Sequence, residues 1–135
     1  MSLFVDASVW IDYFNGKIMP ETDFLHDSLG KKEIIIGTIT LTEVLQGFRH
    51  DKEFRAAKSA LQTFTIVPMV DEATAMQTAE NYRLLRKQGI TIRKTIDCLI
   101  ATLCIEQNYT LLHNDRDFLP FADLLGLKTW MPATE

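Results

Sequence analysis

Short apolar runs alternate with longer amphipathic stretches along this chain. The longer stretches repeat their apolar positions every three to four residues, which is typical of helices that bury one face. The short runs, of which Ile34-Ile35-Ile36 is the clearest, predict strands at 3–5, 33–37, 64–67, 110–113 and 127–130. Strands that alternate with helices predict an α/β fold in which βαβ units build a mainly parallel sheet of about five strands.

The helical pattern also has recognisable ends. Asp6 and Thr95 are suited to cap helices that follow them, and Gly89 is suited to end one. In the long helix that starts at Asp71, the residues spaced to share one face are Met76, Ala79, Tyr82 and Leu85. The predicted helices cover about 7–14, 21–29, 40–48, 51–63, 71–87, 95–104 and 118–125.

Acidic residues stand beside four of the apolar runs. Asp6 and Asp115 follow predicted strands, while Glu43 and Asp97 lie in the first turn of predicted helices. In open parallel sheets, strand ends and the helix starts that follow them meet at one edge, so the four acids are expected to converge on one cleft. Crowded carboxylates cost free energy unless a divalent cation binds between them, and such a cation most often serves phosphate chemistry.

Each acid also has a purely structural interpretation. Asp6 is a good helix cap, and Thr40-Leu41-Thr42-Glu43 reads as a capping box. Asp97 suits the positive end of a helix dipole, and Asp115 with Asp117 suits a turn. At 100° per residue, Asp97 lies on the margin of its apolar stripe, whereas Glu43 lies opposite its stripe. Glu43 is therefore the least secure of the four on residue pattern alone.

Composition limits the kind of protein. A chain of 135 residues with 47% apolar residues is long enough for one domain over 1–135 with a sizeable core. The chain has no apolar run of the roughly 18 residues that a membrane span needs, and no signal-peptide pattern, so we expect a cytoplasmic protein without a membrane partner. The net charge of −4 argues against coating nucleic acid through bulk charge.

Other candidate chemistry is weaker. Cys98 and Cys104 are expected to pack as small core residues, and the three histidines show no spacing typical of a zinc site. Helix-spaced Trp10, Phe14 and Phe48 are expected in a core or an interface. Of the basic residues that precede the Asp97 helix, Arg93 and Lys94 are the candidates for contacts with an RNA backbone, and Arg116 is expected to pair with the acids beside it.

Four segments together carry a resemblance to a known family. They are Phe4-Val5-Asp6-Ala7-Ser8-Val9-Trp10-Ile11-Asp12, Thr42-Glu43-Val44-Leu45-Gln46-Gly47-Phe48, Ile96-Asp97-Cys98-Leu99-Ile100-Ala101 and Leu111-Leu112-His113-Asn114-Asp115-Arg116-Asp117-Phe118. In their order and spacing, over nearly the whole chain, they resemble PIN-domain proteins, and among these the VapC toxins of type II toxin–antitoxin systems. One departure is His113, which stands where the family usually has Thr.

The resemblance implies a Rossmann-like α/β/α sandwich and a ribonuclease that depends on Mg²⁺ or Mn²⁺. The catalytic acids it implies are Asp6, Glu43, Asp97 and Asp115. The metal-binding residues would be Asp6, Asp97 and Asp115, the first two as direct ligands, with support from Ser8, Glu43 and Asp117. The expected partners are an RNA substrate such as tRNA or rRNA, a cognate VapB-like antitoxin and a second copy of the chain in a homodimer.

The expected reaction is hydrolysis of a phosphodiester bond by water. Metal-assisted attack by water, without use of the RNA 2′-hydroxyl, leaves 5′-phosphate and 3′-hydroxyl ends. Two non-catalytic alternatives remain: a receiver-like regulatory domain that binds Mg²⁺, and an RNA-binding domain that does not cut. The chain lacks the paired acids after the first strand and the late Lys that a receiver domain needs, and its four intact acids argue against the second alternative.

Overall fold

Five parallel strands form the central sheet in the computed structural model, which describes residues 1–132. The strands stand in the order β3-β2-β1-β4-β5, so the first strand of the chain lies in the middle of the sheet. Residues 133–135 of the single domain predicted over 1–135 lie outside the described part. The strands are β1 (Ser2–Val5), β2 (Glu33–Gly37), β3 (Thr65–Val67), β4 (Thr110–Leu112) and β5 (Lys128–Thr129).

Helices connect successive strands and cover both faces of the sheet. A single turn of 3₁₀ helix, η1 (Arg116–Phe118), follows β4 and leads into the last α-helix. Within residues 1–132 the α-helices are α1 (Ala7–Phe14), α2 (Pro20–Ser28), α3 (Thr38–Gln46), α4 (Asp51–Leu61), α5 (Glu72–Lys87), α6 (Thr95–Gln107) and α7 (Leu119–Leu125).

The core lies in two layers, one on each face of the sheet. Side chains alternate across β1, so Phe4 packs with Ile100 of α6 on one face, while Leu3 and Val5 pack with Trp10 of α1 on the other. All five side chains are at most 1% exposed. This arrangement confirms the expected α/β/α sandwich.

Helix α3 begins earlier than its sequence pattern predicts. Its first residue is Thr38, its cap is Gly37, and no side chain caps it. Thr40 is fully buried inside the helix, with its Oγ1 3.8 Å from Met69 Sδ. The predicted capping box at Thr40 is therefore wrong, and Glu43 lies in the second turn of α3 and not in the first.

Helix α5 buries only part of the face predicted for it: Leu85 is fully buried and Tyr82 is half-buried against the core, but Ala79 is exposed. Met76 is 62% exposed, whereas Thr78 and Asn81 are buried. Asn81 Nδ2 donates a hydrogen bond to Thr102 Oγ1 of α6 at 3.0 Å. Apolar spacing misled the prediction because this helix packs through paired polar groups, which satisfy one another once buried.

Smaller differences lie at the ends of elements. β4 stops at Leu112, one residue before the prediction, and β5 is limited to Lys128–Thr129. The cap of α6 is Lys94 and not Thr95, which is the first residue of the helix. Of the helices in the described residues, none combines the length and apolar character that crossing a membrane requires.

Candidate metal centre

The acidic site starts where two neighbouring strands end together. Val5 of β1 is paired with Leu112 of β4, and the next residue along the chain, Asp6, donates its backbone N–H to Leu112 O at 3.0 Å. The chain then turns into α1 after Asp6 and into the loop that carries Asp115 after Leu112. Both acids consequently project from the carboxyl edge of the sheet, where ligands of parallel sheets bind.

Asp6 combines the structural and the functional interpretation. It caps α1, and its Oδ2 accepts hydrogen bonds from the backbone N–H of Ser8 at 3.2 Å and from the Ser8 hydroxyl. Its side chain is 8% exposed and lines a cleft of about 460 Å³. The cap holds one carboxylate oxygen in place and leaves the other able to face the cleft.

Asp97 is the most buried acid of the site. It is 6% exposed, and its Oδ2 is buried without a hydrogen-bond partner among the described residues. Burial, followed by the negative charges of Asp6 and Asp115, raises the pKa of Asp97 to about 6, although Lys94 acts in the opposite direction. A buried, unpaired carboxylate oxygen costs free energy unless a proton or a cation meets it.

Asp117, which the sequence suggested only as support for the metal-binding acids, lies within the acidic group itself. One carboxylate oxygen from each of Asp97, Asp115 and Asp117 lies within 4.8 Å of the others. Asp117 donates its backbone N–H to Asp115 Oδ1 at 2.9 Å, and its own buried Oδ2 has no hydrogen-bond partner in the described chain. The turn predicted for Asp115 and Asp117 thus exists and also brings the two carboxylates together.

Glu43 reaches the cleft from α3. It is half-buried and lines the same cleft as Asp6 and Asp97. Burial and the charge of Asp6 raise the pKa of Glu43, and Lys94 opposes this shift. The position opposite the apolar stripe, which made Glu43 look insecure, is what turns it away from the core and toward the other acids. The cleft is lined by Asp6, Ala7, Ser8, Ile11, Glu43, Lys94, Thr95, Ile96, Asp97 and Asp115.

Basic residues flank the acids. Arg93 Nη2 lies 3.7 Å from Asp117 Oδ2, and Lys94 lines the cleft itself. Arg116 lies with Arg93, Asp115 and Asp117 around an adjoining depression. The ion pair predicted for Arg116 does not form within residues 1–132, since Arg93 takes the place beside Asp117.

Two residues beside the acids play parts that sequence reasoning did not assign. Asn114 Nδ2 donates a hydrogen bond to Asp12 Oδ2 of α1 at 2.9 Å, and His113 Nδ1 accepts the backbone N–H of Asp115 at 3.1 Å. Burial lowers the pKa of His113, while the charges of Asp6 and Asp115 raise it. In the sequence, the departure from Thr was the one signal that singled out His113, and no signal singled out Asn114.

A larger groove lies away from the acids. It measures about 660 Å³ and runs between the end of α1, the end of α3 and α4, with Phe14 and Phe48 in its lining. It contains no group of clustered carboxylates among the described residues, since Glu53 is its single acid. Size alone therefore does not identify the chemical site, and the smaller acidic cleft is the better candidate.

The donor set fits a hard divalent cation. Carboxylate oxygens are the ligands that Mg²⁺ and Mn²⁺ prefer, and the group of ligand atoms that lie within 4.8 Å of one another consists of carboxylates alone among the described residues. Such an ion would satisfy Asp97 Oδ2, which has no hydrogen-bond partner among the described residues, and Asp117 Oδ2, which has no hydrogen bond there and only the Arg93 guanidinium at 3.7 Å.

Comparisons with known proteins agree with the fold described above. A VapC ribonuclease of Mycobacterium bovis is 27% identical over 129 residues, which cover 93% of this chain and 96% of that protein. The structure of VapBC2 from Rickettsia felis, bound to a DNA fragment from its promoter, matches with a TM-score of 0.76 at 19% identity, over 96% of this chain and 98% of that one. FitAcB from Neisseria gonorrhoeae matches with a TM-score of 0.74 at 18% identity, over 96% of both chains.

The family itself follows from a match along most of the chain. The model of the PIN domain family matches residues 3–124, a range that contains every acid of the cleft and, apart from Ser2, every strand of the sheet but the last. The chain therefore belongs to the PIN domain family.

Proposed function

We propose that this protein is a metal-dependent endoribonuclease that acts as the toxin of a toxin–antitoxin pair and forms one PIN domain over 1–135. The observation that carries the proposal is the buried, unpartnered Oδ2 of Asp97, which belongs to a group whose oxygens approach Asp115 and Asp117 within 4.8 Å. Membership of the PIN domain family and the similarity to a protein named as a VapC ribonuclease support the choice of RNA as substrate.

The proposed metal-binding residues are Asp6, Asp97 and Asp115. Ser8, Glu43 and Asp117 support them, and the short distances of Asp117 favour a direct part for this acid as well. The ion is Mg²⁺, with Mn²⁺ as a substitute of similar ligand preference. When bound, the cation makes water a better nucleophile at neutral pH and offsets negative charge on the phosphate.

The chain's own groups position the reactants. The Ser8 hydroxyl and amide hold Asp6 Oδ2, so the second oxygen of Asp6 keeps a constant direction. Arg93 and Lys94, which precede α6 and lie beside the acids, are the proposed contacts with phosphates of the RNA backbone. Asp6, Glu43, Asp97 and Asp115 are the proposed catalytic residues. Attack by water leaves 5′-phosphate and 3′-hydroxyl ends.

The proposed partners follow from the relatives. Several similar structures are complexes of a toxin with its antitoxin, and we propose a VapB-like antitoxin for this chain. We also propose a homodimer, with a contribution from exposed or half-buried apolar side chains. An enzyme that cleaves tRNA or rRNA has its substrate in the cytoplasm, which is the location we propose.

Cleavage of structured RNA by purified protein tests the proposal. The wild type should cut with Mg²⁺ or Mn²⁺ and stop with a chelator, whereas Asp97→Asn should lose at least about 100-fold in rate, since it removes a metal ligand. Asp23→Asn is the matched control, because Asp23 is an exposed acid of α2 outside the cleft.

The ends of the products provide a separate criterion. Ligation to the 3′-hydroxyl and removal of the 5′-phosphate by phosphatase should both succeed on the fragments. Fragments with 2′,3′-cyclic phosphate, or equal cleavage by wild type and Asp97→Asn, would refute the mechanism. Binding of RNA without any cleavage under these conditions would favour the non-catalytic alternative.

A further inference from the structure

His113 is a buried residue that contacts the acidic loop directly. It follows β4, is 6% exposed, and lies against Phe118 with the ring centroids 4.9 Å apart. Its Nδ1 lies 3.1 Å from the backbone nitrogen of Asp115. The ring of His113 therefore contacts the residue two positions further along the chain, Asp115, which the proposed function assigns to the metal site.

The polar groups of Asp115 are held on several sides. Its N–H donates to His113 Nδ1, its carbonyl accepts the N–H of Phe118 at 3.2 Å, and its Oδ1 accepts the N–H of Asp117 at 2.9 Å. These three hydrogen bonds restrict both the backbone and the side chain of Asp115. Of the three, the bond to His113 is the one that a side chain provides from outside the acidic turn.

The chemistry of the ring indicates that this acceptor is the reason for a histidine. A backbone N–H can only donate, so Nδ1 meets it with a lone pair and the ring proton is on Nε2. Nε2 is buried and has no hydrogen-bond partner among residues 1–132. A buried donor without a partner lowers stability, and an apolar side chain would fill the same space without that cost.

Threonine supplies the same acceptor by another route. Its hydroxyl oxygen can accept the N–H two residues further along the chain, as in the turns that Ser and Thr commonly form. The resemblance to PIN-domain proteins leads one to expect Thr at this position. His113 and Thr differ in size and shape, but each offers a lone pair, on nitrogen or oxygen, that can reach the amide of Asp115.

We propose that His113 is a positioning residue that holds the Asp115 carboxylate in the orientation for binding a cation, by accepting the Asp115 N–H at Nδ1. The inference rests on the proposed function in that it takes Asp115 as a metal-binding residue. It also accounts for the departure from Thr, since a Thr side chain would perform the same task.

Four substitutions separate this task from packing. His113→Asn places its side-chain oxygen near the position of Nδ1, and His113→Thr provides a hydroxyl acceptor. His113→Gln places its amide near the position of Nε2, and His113→Leu provides no acceptor. Mn²⁺ binding is measured by calorimetry on the full chain, and amide hydrogen exchange at Asp115 is measured by NMR without metal.

The Leu and Gln variants should bind Mn²⁺ about 10-fold or more weakly and should exchange the Asp115 amide faster. The Asn and Thr variants should stay close to the wild type in both measurements. The proposed role of His113 would be refuted if the Leu and Gln variants kept the Mn²⁺ affinity and amide protection of the wild type. An equal loss in all four variants would refute it as well. Absence of Mn²⁺ binding by the wild type would instead refute the metal site on which the inference rests.

Discussion

Asn114 Nδ2 donates a hydrogen bond to Asp12 Oδ2 at 2.9 Å and so joins two segments that are 102 positions apart. Asp12 belongs to α1, which Asp6 caps, and Asn114 precedes Asp115. The backbone bond from Asp6 N–H to Leu112 O at 3.0 Å joins the same two segments one step nearer the sheet. Two acids of the cleft therefore keep their relative positions through contacts made outside the cleft.

Loss of the Asn114 side chain should reduce activity more than stability. We expect Asn114→Ala to lower the free energy of unfolding by at most about 1 kcal/mol, because the bond is exposed to water, and to lower the cleavage rate several-fold. Lys17→Ala is the control, since Lys17 lies 3.8 Å from the other oxygen of Asp12 on the surface and should matter to neither measurement. Unchanged cleavage by Asn114→Ala would contradict the role of the loop.

The raised pKa of Asp97 predicts a pH-dependent cost to the metal-free protein. Its carboxyl has a pKa of about 6 in the fold against 3.8 ordinarily, so the folded state disfavours the ionised form. Protonated Asp97 therefore contributes to the free energy of unfolding. This contribution is fully present below pH 3.8 and is lost as the pH rises through about 6. The free energy of unfolding of metal-free Asp97→Asn should therefore equal that of the wild type near pH 4 and exceed it by about 2 kcal/mol near pH 7.5.

Urea unfolding in the presence of a chelator measures this difference. Asp23→Asn, which changes an exposed acid, should show no such dependence on pH. A stability gain of Asp97→Asn that is equal at both pH values would show that the cost does not come from ionisation of Asp97.

Binding of Mn²⁺ should reverse the order of the two proteins. A cation that binds only the folded state raises the melting temperature in proportion to the logarithm of its concentration. The wild type should gain several degrees near pH 7.5 and much less near pH 5, where a proton competes for Asp97. Asp97→Asn should gain little at either pH. Thermal melts with and without Mn²⁺ test this, and an equal gain for both proteins would place the ion elsewhere.

Arg93 and Lys94 should carry part of the salt dependence of RNA binding. Each lost contact with a phosphate reduces the slope of log affinity against log salt by about 0.7 for single-stranded RNA. We expect this from Arg93→Gln and Lys94→Gln in an Asp97→Asn background, measured by fluorescence anisotropy. Lys31→Gln and Lys32→Gln are the controls, because these residues precede β2 at the opposite edge of the sheet. An equal loss of slope in the controls would indicate a general charge effect.

Asn108 should be sensitive to replacement by a residue that disfavours the left-handed backbone conformation. It ends α6 in the left-handed region, with φ of 60°, which only Gly and Asn adopt readily. Asn108→Ala should lower the free energy of unfolding by about 1 kcal/mol, whereas Asn108→Gly should not. Gln107→Ala, within the helix, is the control. Equal stability of the Ala and Gly variants in urea unfolding would contradict this account.

Local signals predicted the strands and helices because they depend on near neighbours. The alternation of β-branched runs with amphipathic stretches predicted the parallel α/β sheet, and Asp6 was recognised as the cap of α1. The start of α3 was missed because Thr40, which looks like a cap in sequence, is buried inside the helix with its hydroxyl 3.8 Å from Met69 Sδ, a contact with a residue distant in sequence. The buried face of α5 was predicted only in part, because Asn81 finds its partner, Thr102, on another helix.

The sequence by itself determined which elements form and which acids follow them, since both depend on the properties of adjacent residues. Only the tertiary structure decided how the acids rank. It brought oxygens of Asp97, Asp115 and Asp117 within 4.8 Å, left Asp97 Oδ2 buried without a partner, and turned Glu43 into the cleft from the second turn of α3. These relations depend on strand pairing and hydrogen bonds between segments far apart in the chain, and on the removal of water around carboxylates, neither of which a local pattern contains.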